Sequence, residues 1–387
     1  MSRVLILSAG YGEGHNAAAR NLVTAFNEAC GSDTARFVDL LEQASPRLSK
    51  ITRWGYLTAI NRFPKVWSAL YRWLDQSRPF PRALWVLRRE LRLLDELIRR
   101  ETPTVICSTF PIYGFLLEKL RTERGLIVPF YNIVTDSISI NSLWWLPSCD
   151  GWFLPNEESA QIIRDVGRPA NRVHVSGFPV QPEFARESRT LAPPNLAAGH
   201  APRVLFIINS GSARAEETAR LLLAETGWEI TCAVGRDTAL RRRLEKLSAR
   251  RSTPAKILGW TDQVPQLLMT HHAVVSKAGG ATTQEAIAAR CPMIVNQIIP
   301  GQEEGNYELL RRHGIGGHAA SPAEVISALR NAFAQNCNIW RKWRRSIDLL
   351  SRPTAAADIV MRLAREHGIE TNPIIREVTP SALSRHG

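Results

Sequence analysis

Short apolar runs alternate with helical periodicity, stop at a proline-rich stretch and then start again. That doubled alternation most constrains what this chain can fold into. RVLILS at Arg3–Ser8 is a short buried strand. His15–Ala29 then puts Ala18, Leu22, Ala25, Phe26 and Ala29 on one helical face. Further strands are expected at Phe37–Leu40, Val105–Cys107, Phe130–Val134, Trp152–Leu154 and Val173–Val175, with helices such as Phe115–Arg121 and Glu157–Val166 between them. Residues 191–202 (LAPPNLAAGHAP) carry three prolines and no periodicity, and read as a linker. The alternation resumes with strands at Val204–Ile208, Ile230–Val234, Lys256–Leu258, Ala273–Ser276 and Met293–Val295, each followed by a helical stretch.

The expectation is an α/β protein of two Rossmann-like domains facing across a cleft. Residues 1–190 form the first domain, 191–202 the linker and 203–350 the second domain. Residues 351–371 form a C-terminal helix placed to pack back on the first domain, and 372–387 a disordered tail.

Composition narrows the function. Of 387 residues 44% are hydrophobic and 22% charged, which excludes an intrinsically disordered chain. No apolar run reaches the length of a membrane-spanning helix, and the four-residue apolar stretch after Arg3 makes a poor signal peptide. The six cysteines include no C-x-x-C pair, so a reducing, cytoplasmic setting is expected. The net charge is +13, and residues 44–100 hold 13 of the cations against four acids, interleaved with eight aromatics. Cations with Trp67, Leu70, Tyr71 and Leu74 at helical spacing, and Trp73 beside them, suit an anionic membrane surface on its inner face. The plain alternative is a solvated helix with an aromatic core side. No nucleic-acid-binding motif accompanies the charge, so no nucleic acid partner is expected.

Two glycine turns carry the chemistry. Gly10-Tyr11-Gly12-Glu13-Gly14-His15 ends the first strand and opens the first helix. Gly12 and Gly14 let backbone N–H groups approach an anionic ligand at a helix N-terminus. A nicotinamide fingerprint wants a small third residue where His15 stands, so Asp39 at the end of the second strand gives that reading only partial support. His15 is instead read as a general base, or, more plainly, as a helix cap. Asp136, at a strand end, either orients His15, acts as base itself or is a structural acceptor. The second turn, KAGGATTQEA at 277–286, offers Gly279, Gly280 and Thr282 to a diphosphate and Glu285 to both hydroxyls of a ribose. Gln302, Glu303 and Asn306 suit sugar hydroxyls. Lys277 either reaches a phosphate or is exposed. His271-His272 reads as helix-end polarity, because no third ligand is near. No Asp-x-Asp occurs, so no metal site is expected.

KAGGATTQEA with PGQEEGN at 300–306, GYGEGHNAAA at 10–19, Val134-Thr135-Asp136 with Trp144, and Gly177-Phe178-Pro179-Val180 together resemble glycosyltransferase family 28. The likeness is to its monogalactosyldiacylglycerol synthases and processive diacylglycerol glucosyltransferases, and more distantly to the N-acetylglucosaminyltransferase that makes lipid II. It spans most of the chain and implies the GT-B fold, a UDP-sugar donor, a lipid acceptor, inversion and no catalytic metal or other cofactor. It places His15 as base, Glu285 on ribose, Gln302, Glu303 and Asn306 on hexose and Trp260 beside uracil. Ser210 and Gly211 fall in a phosphate loop that is less glycine-dense than is usual in the family.

The expected activity is transfer of galactose or glucose from UDP-sugar to diacylglycerol at the membrane surface. An N-acetylglucosaminyltransferase on a polyprenyl-linked acceptor, a nucleotide-sugar epimerase and a non-catalytic membrane-binding protein stay open.

Overall fold

A computed structural model describes residues 3–11, 13–47, 50–52, 55, 84–208, 214–299 and 303–372. The expectations for Trp67, Tyr71 and Trp73, for Gly12, Ser210, Gly211 and Gln302, and for the tail beyond 372 lie outside the described residues.

The first half runs β1 (Val4–Ser8), α1 (Glu13–Cys30), β2 (Ala35–Asp39), α2 (Leu40–Ala44), α3 (Arg88–Glu101), β3 (Val105–Ser108), α4 (Ile112–Arg124), β4 (Phe130–Ile133), β5 (Gly151–Leu154), α5 (Glu157–Asp165), β6 (Val173–Val175) and α6 (Glu183–Glu187). The second runs β7 (Arg203–Ile207), α7 (Ala215–Ala224), β8 (Glu229–Ala233), α8 (Thr238–Ser248), β9 (Lys256–Leu258), α9 (Val264–Thr270), β10 (Ala273–Lys277), α10 (Gly280–Ala288), β11 (Met293–Gln297), α11 (Glu304–Arg312), β12 (Gly317–His318), α12 (Pro322–Phe333), α13 (Asn338–Leu350) and α14 (Ala355–His367).

Each half builds a six-stranded parallel sheet, in the orders β2-β1-β3-β4-β5-β6 and β12-β11-β10-β7-β8-β9. Helices cover both faces, so inner strands such as β1 are buried along their whole length and read as apolar runs rather than alternations. The strand order reverses between β1 and β3 in the first sheet and between β7 and β10 in the second. Ligands of open α/β sheets bind beyond the strand C-termini at such points. Two sheets of this kind make the GT-B fold.

Two local readings change. Leu40 opens α2 rather than ending β2, because Asp39 caps that helix, its side chain accepting from the Glu42 backbone N–H. β12, two residues long, is too short to show a period in the sequence.

The halves are joined through packed contacts. Ala18 on α1 shares an apolar cluster with Phe178, Phe184, Ala278 and Ala286. Within the first half, Asn21 Nδ2 donates to the Pro179 carbonyl at 2.9 Å and holds that Phe178–Phe184 stretch against α1. α14 lies on the first half, where Ala356, Ile359, Val360 and Leu363 meet Ala19, Leu22 and Phe26 of α1. Gly177 takes φ +91°, and a β-carbon there would stand 2.7 Å from Arg352 Cβ, so only glycine lets the chain leaving β6 pass under the start of α14.

Candidate active site

Three strand ends of the first sheet converge on His15. The residue sits in the first turn of α1, just past β1, while Thr109 follows β3 and Thr135 follows β4. The Thr109 carbonyl lies 2.9 Å from His15 Nδ1, and Thr135 Oγ1 lies 2.7 Å from the same nitrogen. A carbonyl only accepts, so Nδ1 carries the proton and Nε2 the lone pair. Thr109 Oγ1 donates in turn to the His15 carbonyl at 3.1 Å. The Phe110 ring meets the imidazole edge-on at 5.2 Å, and the Trp144 ring lies 6.1 Å away. Burial among these groups lowers the His15 pKa, with Asp136 and the Thr109 carbonyl pulling the other way. The imidazole is therefore neutral at pH 7 and able to accept a proton.

Asp136 makes no hydrogen bond to the imidazole. It accepts from Trp144 Nε1 at 2.7 Å. Burial raises its pKa, opposed by His15 and by the indole. The groups that grip His15 are Thr109 and Thr135, neither of which the sequence singled out for that role. Only the Val134-Thr135-Asp136 segment pointed near one of them. Asp39 accepts from Gly10 N at 2.9 Å and caps α2, which gives it a structural task in the first glycine turn.

The second sheet brings β10 and the N-terminus of α10 to the same place. A β-carbon on Gly14 would lie 3.7 Å from Ala281 N, and one on Gly280 would lie 3.8 Å from Asn306 Nδ2 and 3.9 Å from the Thr135 carbonyl. Gly14, His15, Thr135, Gly280 and Asn306 thus share one cluster between the sheets. Gly279 caps α10 in extended backbone, and Thr282 is half-buried in its first turn. The exposed N–H groups and helix dipole there favour an anion.

Glu285 is 8% exposed, and its carboxylate makes no hydrogen bond among the described residues. Burial raises its pKa to about 7. Such a carboxylate gains strongly from a pair of hydroxyl donors. Glu303 has both oxygens engaged: Oε1 accepts from Lys277 Nζ at 2.6 Å and Oε2 from Ile299 N at 3.0 Å. Lys277 is accordingly half-buried in an ion pair beside Gly279. Asn306 Nδ2 donates to the Ala278 carbonyl at 3.0 Å, while its buried Oδ1 has no partner among the described residues. Trp260 is 68% exposed after β9, and its side chain makes no hydrogen bond or ring contact among the described residues.

His271 and His272 are both buried; His271 is helix-end polarity as expected, the C-cap of α9, whereas His272 is a structural group beyond the helix. His272 Nδ1 accepts from Arg203 N, and Nε2 donates to the Pro194 carbonyl, both at 2.8 Å, which pins the linker to β7. His271 donates from Nδ1 to the Leu267 carbonyl at 2.6 Å and accepts at Nε2 from Thr231 Oγ1 at 2.9 Å.

Against known proteins, the family model for monogalactosyldiacylglycerol (MGDG) synthase matches residues 15–180, the stretch from the candidate base to the end of the first half. The processive diacylglycerol beta-glucosyltransferase of Bacillus cytotoxicus is 24% identical over 376 residues, 96% of each chain. By sequence, the chain is similar to diacylglycerol glycosyltransferases. The protein of the same description from Bacillus mycoides matches to the same extent. Among solved structures, S. aureus MnaA with UDP superimposes with a TM-score of 0.59 at 12% identity, covering 96% of this chain and 98% of that one. Os79 of O. sativa with UDP gives 0.60 at 12% identity, covering 94% and 100%. At that identity these likenesses speak for the GT-B fold alone. No helix among the described residues is long and apolar enough to cross a membrane.

Proposed function

We propose that this protein is a hexosyltransferase that moves galactose or glucose from a UDP-sugar to diacylglycerol at a membrane surface, with inversion and without a metal. One observation carries the reading. A neutral His15 stands beside the N-terminus of α10, the helix that holds Glu285, and among the described residues neither its Nε2 lone pair nor the Glu285 carboxylate has a hydrogen-bond partner. The curated relatives of matching length, described as processive diacylglycerol beta-glucosyltransferases, support the same donor and acceptor classes.

In the proposed step His15 Nε2 takes the proton of the acceptor hydroxyl. The freed oxygen attacks the anomeric carbon in line, and the bond from that carbon to the diphosphate oxygen breaks, UDP leaving with the electron pair. Gly279, Gly280, Thr282 and the dipole of α10 stabilise the charge on the leaving diphosphate. Glu285 holds the ribose. Asn306 Oδ1 accepts from a hexose hydroxyl, and Glu303 keeps Lys277 close to the diphosphate. Gly12, Gly14, Ser210, Gly211, Gln302 and Trp260 complete the binding set on the strength of the family motif.

Docking to anionic lipid is assigned to residues 44–100. Within its described part Trp85 is 64% exposed, while Leu91, Leu94, Leu97 and Ile98 of α3 are core. Each cation near an anionic surface contributes about 1 kcal/mol, and this falls off within a Debye length of about 8 Å at physiological salt.

Radiolabelled UDP-glucose and UDP-galactose incubated with the protein and diacylglycerol-containing anionic liposomes test the reading. Label in the lipid phase, unaffected by EDTA, supports it. Altered free nucleotide sugar without lipid label would mark an epimerase, and no turnover a non-catalytic binder.

A further inference from the structure

Thr135 begins a five-residue loop whose two ends do different things. At one end its hydroxyl meets His15 Nδ1 at 2.7 Å. At the other the loop lies against the second half of the molecule. Gln284 Nε2 of α10 donates to Ser137 Oγ at 2.9 Å in a buried contact. Ile138 packs on the apolar cluster of the second sheet. A β-carbon on Gly305, in the first turn of α11, would collide with the Ser137 carbonyl and with Ser139 Oγ. The loop has little freedom to absorb a shift. Ile138 is at φ +60°, Ser139 N donates to the Ser137 carbonyl at 2.7 Å, and Ile138 N donates to Ser159 Oγ at 3.0 Å. A displacement imposed at Ser137 is therefore transmitted along the backbone to Thr135.

We propose that Thr135 is a positioning residue for the base and that the Thr135–Ser139 loop ties its grip on His15 to the docking of α10 and α11. The inference rests on His15 being the base. It means that the Thr109 carbonyl fixes the tautomer in any arrangement, whereas the imidazole is held at its working angle by Thr135 only while the donor-side helices are seated on the loop. Proton transfer is then matched to the closed arrangement, and less so to open forms in which water could replace the acceptor.

Around His15, Phe110 and Trp144 are apolar, Thr109 and Thr135 are neutral, and α10 presents the Ala281 backbone. Asp136 is the charged group that acts on the ring through space. A hydroxyl accepting from Nδ1–H favours the imidazolium more than the neutral ring. Its loss therefore moves the His15 titration to lower pH.

The test compares Thr135→Val, Thr135→Ser, Gln284→Leu and the Thr135→Val/Gln284→Leu double variant with the parent. The readouts are lipid glycosylation, UDP titration calorimetry and the melting temperature. Thr135→Val is expected to lower kcat by about tenfold to a hundredfold, with UDP affinity within about twofold, and to shift the acid limb of the kcat profile downward in pH. Thr135→Ser, which keeps the hydroxyl, restores both. Gln284→Leu lowers kcat in the same direction. The double variant loses no more than about the worse single, because one loop carries both effects.

Unchanged kcat and acid limb in a folded Thr135→Val protein would overturn the proposal. So would losses that multiply in the double variant. If Thr135→Val fails to fold, the comparison of Thr135→Ser with Gln284→Leu decides: normal turnover in Gln284→Leu defeats the coupling. His15→Ala, assayed alongside, separates the two ideas. Retained turnover there removes the base assignment itself, whereas lost turnover with a normal Thr135→Val removes only the loop's role.

Discussion

His313 Nε2 lies 2.5 Å from Glu158 Oε1, so the C-terminal end of α11 in one half is tied to the first turn of α5 in the other. Burial by itself would raise the Glu158 pKa, but the hydrogen bond from His313, the backbone hydrogen bond at the helix start and the nearby His313 and Arg312 charges together outweigh it, and the net shift is downward. A depressed carboxylate contributes stability that is present above its unfolded pKa and lost as pH falls through the folded one. Glu158→Gln should therefore flatten the acid limb of the stability curve. Both partners are close to a third exposed, so the cost at neutral pH should stay under about 1 kcal/mol. Urea titrations between pH 3 and 7 measure it. A full-sized acid loss in the variant would show that the tie contributes nothing.

His15→Ala should cut turnover by about a hundredfold or more while leaving UDP affinity nearly intact. In the parent, kcat should fall as pH drops through a His15 value below the ordinary 6.5, because only the neutral ring accepts the proton. Steady-state rates from pH 5 to 9 provide the check. Normal turnover in the variant would move the base role to Asp136.

Glu285→Ala should weaken UDP binding by roughly tenfold to a hundredfold, the loss of about 1.5–3 kcal/mol from hydrogen bonds to a charged group. The raised pKa of about 7 adds a pH signature. The folded state holds that proton more tightly than the unfolded one, so the protein without ligand should lose stability as pH rises between about 4.5 and 7. Ligand affinity should run the other way and strengthen toward pH 8, as the carboxylate ionises to accept from ribose. Calorimetry with uridine isolates this, since uridine has no phosphate to titrate. PH-independent binding, or an unchanged affinity in Glu285→Ala, would place the ribose elsewhere.

Leu363→Ala, in the fully buried face of α14 against α1, should cost about 2–5 kcal/mol of stability through lost burial and the cavity it leaves. Denaturant midpoints report it directly. A loss near zero would mean that α14 contributes little to the first half.

Replacing Trp67, Tyr71 and Trp73 with serine should reduce sedimentation with anionic vesicles and lower lipid glycosylation, with UDP binding unchanged. In the parent, high salt should release only part of the bound protein, because screening leaves the apolar contribution in place. A variant that stays folded and binds vesicles as the parent does would place the docking surface on another face.

What the sequence determined by itself is what local chemistry writes. Apolar runs and helical periods mark β1 through β11, most plainly the inner strands such as β1 and β3, because parallel strands buried on both faces cannot hide their composition. The glycine turns at 10–14 and 279–280 and the carboxylate at Glu285 are equally plain, since anion binding at a helix N-terminus needs those residue types at that spacing. The tertiary structure alone decided which groups serve His15. Thr109 and Thr135 reach it from 94 and 120 residues away, and no period in the chain marks a contact set by the register of β1, β3 and β4. It also decided that Glu303 spends both oxygens inside the protein and that His271 and His272 are buried. Gly305 belongs with these, because it is glycine for the sake of a carbonyl on the other half of the molecule. A sequence carries the propensity of each segment, whereas partners across a fold are chosen by how the finished segments pack.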